Sequence, residues 1–220
     1  MNLDPYHAVC KELSANNARL VAVSKTKPVA DILQLYHAGQ RVFGENKVQE
    51  LSDKQEQLPK DIEWHLIGHL QSNKVKYIAP FISMIHSIDS IKLLEEVNRQ
   101  AQKCHRTIDC LLQIHIAQEE SKFGFDEQEV LRLFETKAFN DFKDIRLCGL
   151  MAMATLTDDE ARIAGEFEGL KKLFETIKTS YMAGQACFKE LSMGMSSDYT
   201  IALRHGATMV RIGSTIFGSR

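Results

Sequence analysis

The sequence predicts an α/β protein: a single (β/α)8 TIM barrel over residues 1–220, with a helix ahead of the first strand. Three observations predict it. About eight short apolar runs rich in β-branched residues recur along the chain, stretches with helical periodicity separate them, and no Gly-x-Gly-x-x-Gly follows the first run. Strand and helix alternation means parallel βα units, and eight such units close on themselves. A doubly wound open sheet is the alternative, and it lacks its glycine fingerprint.

Each element has a local reason. Asp4 to Asn17 reads as the opening helix, with Asp4 as N-cap, Pro5 in the first turn and Val9 and Leu13 on one face. Leu20 to Ser24 alternates as a buried strand, and Pro28 stops it and suits a helix start. Val29 to Ala38 is the next helix, with Gly39 closing it. The pattern then repeats: Arg41–Phe43 and a polar-faced helix Lys47–Gln57, Glu63–Ile67 and a helix Asn73–Ala79, Ile82–Ile88 and a helix capped by Asp89 or Ser90. Asp109–Ile116, the clearest strand, precedes a helix from Asp126 to about Lys137. Ile145–Met151 precedes a long helix in which Ile163, Phe167, Leu170, Phe174 and Ile177 recur. Glu190–Met193 and Thr208–Ile212 are the last strands, around a brief helix from Asp198 to Arg204. The chain stops soon after the last strand, so the opening helix is expected to fill the place of the eighth outer helix.

Composition excludes several function classes. A formal charge of −2 leaves no electrostatic footprint for nucleic acid or an anionic membrane. The five cysteines are scattered and without Cys-x-x-Cys spacing, so neither a disulfide framework nor a zinc knuckle is indicated. A reducing cytoplasm is the expected compartment. The N-terminus has no basic-then-apolar leader, and no apolar run approaches membrane-spanning length.

In such a barrel the reactive face lies at the C-terminal ends of the strands. Residues just after those ends include Lys25, Asn46, Gly68, Ser87, Met151, Ser192 to Ser196 and Arg211 to Thr215. Val21, Val23 and Lys25 share a face. Lys25 and Lys27 are either solvated strand-end lysines or, for Lys25, an amine in a dry interior, where a lowered pKa makes it able to trap a carbonyl. Gly213, Ser214 and Thr215 can offer successive amides to an anion, and the strand-seven loop Ser192–Ser197 is again glycine and hydroxyls. Two such loops at adjoining strand ends favour a phosphate site over plain turns. Arg211 is either a rim salt-bridge partner or a fixed cation donating to an unprotonated heterocyclic nitrogen. His65 and His69 straddle a strand end without a carboxylate at ligand spacing, so no metal is expected. No Gly-x-Ser-x-Gly elbow is present.

Six motifs, in order over nearly the whole chain, carry a resemblance: Val23-Ser-Lys-Thr-Lys-Pro28, Phe43-Gly-Glu-Asn46, Trp64-His-Leu-Ile-Gly-His-Leu-Gln-Ser-Asn-Lys74, Gly149-Leu-Met-Ala152, Leu191-Ser-Met-Gly-Met-Ser196 and Val210-Arg-Ile-Gly-Ser-Thr-Ile-Phe-Gly218. The chain resembles the pyridoxal phosphate homeostasis protein family. The resemblance implies a fold-type III barrel similar to the alanine racemase N-terminal domain, with pyridoxal 5′-phosphate (PLP) as cofactor. It implies Lys25, rather than Lys27, as the Schiff-base lysine and Arg211 opposite the pyridine nitrogen. It puts Ser196, Gly213 and Ser214 near the phosphate, Asn46 near the ring, and Met193 and Gly194 in the binding motif of strand seven. Ala154 departs from a proline often found there.

The resulting expectation is a non-catalytic carrier. It binds PLP reversibly, buffers the free aldehyde and hands it to PLP-dependent apo-enzymes, as a monomer or weak homodimer. An amino-acid racemase or decarboxylase with the same cofactor is the alternative, although the chain, ending at Arg220, leaves no room for the C-terminal β domain that supplies a racemase tyrosine. A cofactor-free Schiff-base aldolase acting on a phosphorylated sugar is a third reading.

Overall fold

The protein, seen here as a computed structural model, is described over residues 2–117 and 123–218. α1 (Asp4–Ala15) leads into β1 (Arg19–Val23), and the alternation continues with α2 (Val29–His37), β2 (Val42–Glu45), α3 (Val48–Gln57), β3 (Glu63–Leu66), α4 (Val75–Ile78) and β4 (Met84–Ile88). The second half runs α5 (Ile91–Lys103), β5 (Ile108–Gln113), α6 (Glu127–Thr136), β6 (Ile145–Met151), α7 (Glu160–Ser180), β7 (Glu190–Met195), α8 (Tyr199–Arg204), β8 (Met209–Ile212) and α9 (Ser214–Phe217). Each strand pairs in parallel with the next, and β8 pairs back onto β1, closing the barrel.

Local chemistry explains the helix ends. Ser90, one of the two expected caps, accepts a hydrogen bond from the Leu93 amide and opens α5. Asp126 and Glu129 form a reciprocal capping box at α6, each side chain accepting from the other's backbone N–H. Gly39 follows α2 with φ +105°, a conformation that L side chains rarely adopt. Several expectations are corrected. Leu3, not Asp4, is the N-cap of α1. The expected helix Asn73–Ala79 is a 3-10 turn, Ser72–Lys74, continued by the short α4. β5 ends at Gln113, and Ile114 makes only an isolated bridge to Phe125. β2 runs on to Glu45, and the turn α9 was not foreseen. α1 packs against β1 and α9, so it does cover the seam where the barrel closes.

Two cores form. The larger lies between the strands and the outer helices, with Phe43, Trp64, Phe134, Phe167 and Phe188 fully buried. Burying each such side chain contributes roughly 1.5–3 kcal/mol. The second fills the barrel lumen with Val21, Met84, Leu111, Cys148, Met151 and Met209. At the N-terminal mouth, Arg19 pairs with Glu190 at 2.9 Å and Arg146 with Asp109 at 2.7 Å. No helix among the described residues is long and apolar enough to cross a membrane.

Candidate functional site

A cavity of about 380 Å³ opens at the C-terminal mouth, lined by residues from the ends of β1, β2, β3, β6, β7 and β8. That volume is in the range of small-molecule sites, roughly 300–1,000 Å³. Its polar groups are the amines of Lys25 and Lys27, the Arg211 guanidinium, the Asn46 amide and the hydroxyls of Ser196, Ser197 and Ser214, while Val23, Ile67, Met153 and Met195 supply apolar wall. Of the eight residues expected at a binding site, Lys25, Asn46, Ser196, Arg211, Gly213 and Ser214 line this cavity. Met193 and Gly194 do not.

A β-bulge accounts for those two. On β7, Ser192 pairs with Met209 and Met195 with Arg211, so β7 spends one more residue than β8 over the same stretch. The extra residue breaks alternation. Ser192 faces the lumen, Met193 turns into the outer core with no exposure, and Met195 and Ser196 come back to the cavity. Gly194 sits at φ +90°, and a Cβ there would meet the Ala202 Cβ at 2.6 Å, so this position faces α8. Gly213 is glycine for a related reason: a Cβ would lie 3.1 Å from the Val23 carbonyl oxygen, and its amide donates to the Ser196 hydroxyl. Gly213 then caps α9, whose first amides belong to Ser214 and Thr215.

Lys25 occupies a tight turn in which the Lys27 amide donates to the Ser24 carbonyl at 3.0 Å. Thr26, the second central residue, sits at φ +64°, a strained setting for a β-branched side chain. A buried ionic cluster holds it there. Lys54, on α3, donates to Glu45 at 2.7 Å, to Glu50 at 2.6 Å and to the Ser24 carbonyl at 2.7 Å. Glu45 also accepts from the Ser24 hydroxyl, and Glu50 accepts from the Thr26 amide at 2.6 Å. The backbone on both sides of Lys25 is thereby fixed. Burial pushes the Glu45 carboxyl above its usual range, and Lys54 and Ser24 pull it back down. Sequence reasoning read α3 as polar-faced and missed this cluster, yet Leu51, Lys54 and Leu58 all fall on its buried stripe. A lysine on an apolar stripe was the available signal. Lys54→Met is expected to cost about 3–5 kcal/mol in urea unfolding, because Glu45 stays buried without its counter-charge; an unchanged midpoint would refute the clamp.

Lys27 has a different assignment. Its ammonium donates to the Gly218 carbonyl at 3.0 Å and lies 6.0 Å from the Phe217 ring, tying the β1 loop to α9.

Arg211 is buried at the cavity wall. Its Nη1 donates to the Ser192 carbonyl at 2.8 Å and the Ser192 hydroxyl at 2.7 Å, and Nη2 donates to the Ala152 carbonyl at 2.8 Å. Burial lowers its pKa to about 10, and the nearby Asp198 opposes that shift. At neutral pH it stays a cation. Nε–H and one Nη2–H remain for a ligand.

His65 and His69 separate. His65 is buried in the lumen, within hydrogen-bond distance of His86, whereas His69 pairs with Asp89 at 3.1 Å near the surface. Among the described residues no three His, Cys, Asp or Glu side chains gather as a metal site.

A family model described as "Alanine racemase, N-terminal domain" matches residues 6–220. The pyridoxal phosphate homeostasis protein of Pasteurella multocida (strain Pm70) is 41% identical over 220 residues, covering 97% of this chain and 92% of that protein. That of Schizosaccharomyces pombe is 40% identical over 212 residues, covering 94% and 87%. Among solved structures, PipY of Synechococcus elongatus PCC7942 with PLP bound is 34% identical with a TM-score of 0.88, covering 98% of this chain and 99% of that one. Alanine racemase from Bartonella henselae, 16% identical with a TM-score of 0.71, spans 100% of this chain and 60% of its own, and shares the barrel fold. Matched over nearly its full length by both the domain model and these relatives, the chain belongs to the alanine racemase N-terminal domain family, among the pyridoxal phosphate homeostasis proteins.

Proposed function

We propose that this chain takes part in PLP homeostasis, with residues 1–220 acting as one barrel unit that holds PLP as a Schiff base on Lys25. The observation that carries the reading is the placement of Lys25 and Arg211 in one cavity with Ser196, Gly213 and Ser214. This donor set suits the group: an amine for an aldehyde, hydroxyls and first-turn amides for a phosphate, and a permanent cation for a ring nitrogen that accepts. When bound, PLP supplies an aldehyde that condenses with an amine, losing water, and a pyridine ring that withdraws electrons.

The chain's residues do the rest. The clamped turn presents the Lys25 amine, Ser196 and Ser214 donate hydroxyls, and Asn46 sits at the end of β2 to bound the ring. Arg211 cannot surrender a proton at neutral pH, so a ring nitrogen facing it stays unprotonated and withdraws electrons weakly. That favours holding the cofactor over driving carbanion chemistry.

The lining points the same way. Apart from the two lysines and Arg211, the described residues around the cavity include no titratable side chain to serve as a second acid or base. A carrier that buffers the aldehyde and releases it to apo-enzymes, as a monomer or weak homodimer, fits this better than a racemase or decarboxylase. In deuterium oxide, the PLP-loaded protein is expected to leave the α-protons of alanine, serine and lysine unexchanged over hours. Exchange above the rate of free PLP would overturn the carrier reading.

A further inference from the structure

Behind Arg211, a line of polar groups crosses the barrel lumen from β8 to β3. Ser192 on β7 accepts from Arg211, His86 Nδ1 on β4 lies 3.0 Å from the Ser192 hydroxyl oxygen, and His86 Nε2 lies 2.9 Å from His65 Nδ1 on β3. None of these three side chains lines the C-terminal cavity. His65 lines the cavity at the opposite mouth instead.

We propose that Ser192, His86 and His65 form a hydrogen-bond chain of fixed direction that orients Arg211 from behind, with His86 as a positioning residue for the contact between Arg211 and the PLP ring nitrogen. The proposal rests on the function given above.

The direction follows from the donors. A guanidinium carries no acceptor, so the Ser192 oxygen receives from Arg211, and the acceptor left for its own proton is His86 Nδ1. A neutral imidazole that accepts at Nδ1 carries its proton on Nε2. His86 therefore donates to His65 Nδ1, and His65 in turn is protonated on Nε2. Running the chain the other way would leave the Ser192 hydroxyl without an acceptor among the described residues.

The surroundings keep both rings neutral. Burial dominates, and the neighbouring charges add to it: His86 faces Arg211 on β8 and Arg19 on β1, and His65 feels Arg19. Glu63, Asp109, Arg146 and Glu190 share the N-terminal cavity with His65, and two of these acids are already paired with Arg146 and Arg19.

A merely structural lumen would favour apolar side chains, since each buried imidazole costs desolvation. Arg211 explains the exception. Its three bonds go to two carbonyls and the Ser192 hydroxyl, with no carboxylate among them, so the rotamer of that hydroxyl helps set where the guanidinium points. An outer partner that fixes the tautomer and angle of an inner one is a familiar way to hold a functional group.

The test begins with cofactor-free protein labelled with nitrogen-15 at histidine. At pH 7, His86 and His65 are expected to show unprotonated Nδ1 and protonated Nε2, with His86 assigned by its loss in His86→Asn. PLP titration follows. His86→Asn, whose Oδ1 replaces Nδ1 as acceptor, is expected to keep the dissociation constant within about twofold, while His86→Leu raises it about tenfold. In an Arg211→Gln background, His86→Leu should change it by less than about twofold, since the effect passes through Arg211. Protonated Nδ1 on His86, equal affinities for the Asn and Leu variants, or an undiminished Leu effect without Arg211 would each overturn the proposal. If His86→Leu does not fold, the tautomers and the Asn variant decide. A borohydride adduct on a residue other than Lys25 would defeat the proposed function separately, leaving the tautomer result to judge the chain.

Discussion

Lys25→Ala protein, incubated with PLP and reduced with borohydride, is expected to carry no added mass at the cavity, whereas the unaltered chain carries one PLP increment on the peptide containing Lys25. Visible absorption of the unreduced complex should vanish with it. The effect is complete because the other amine of the turn is engaged elsewhere: Lys27, two residues on, donates its ammonium to the Gly218 carbonyl. Lys27→Ala is therefore expected to keep the adduct. Loss in Lys27→Ala with retention in Lys25→Ala would move the site by two residues. The Lys54 cluster sharpens the expectation, because it fixes the Ser24 carbonyl and the Thr26 amide on either side of Lys25.

Acid should destabilise this barrel early. Burial holds the pKa of His65 down to about 3 and that of His86 well below its ordinary value of 6.5. Below pH 6.5 the unfolded chain binds protons on both rings that the folded chain refuses. Stability from this source is thus intact above pH 6.5 and falls as pH drops toward 3, by about 1.4 kcal/mol per pH unit for each histidine. Glu45 acts in the opposite sense, since its raised carboxyl gains protons more readily when folded. Urea midpoints measured at pH 7, 6 and 5 should therefore decline, and His86→Asn should flatten the slope by about half. A flat profile from pH 6.5 to 5 would mean that the two rings reach solvent.

Much of this was legible in the sequence. Period-two runs ending in glycine or a polar residue marked the strands, position near the strand ends put Lys25 and Arg211 among the candidates, and the family resemblance chose Lys25 over Lys27 and set Arg211 opposite the ring. What was not legible depends on geometry that pattern does not encode. The β7 bulge shifts Met193 and Gly194 away from the cavity, and a bulge changes register by one residue without changing composition. His65 and His86 occupy ordinary inward positions in two strands. Their meeting depends on barrel stagger: His65 pairs with Met84 in register, which puts His86 one inward position further along its neighbour. Lys54 was readable in principle but lay in a helix whose overall polarity concealed its stripe.

The pairing of Arg19 with Met209, which seals the barrel, has a consequence for biosynthesis. Contacts between distant parts of a chain form late, because the intervening loop must first be closed. A ribosome must therefore have made the chain as far as Ile212 before the first strand finds its last neighbour. Until then Lys25 and Arg211 have no common wall, and the nascent chain offers no vessel for a reactive aldehyde.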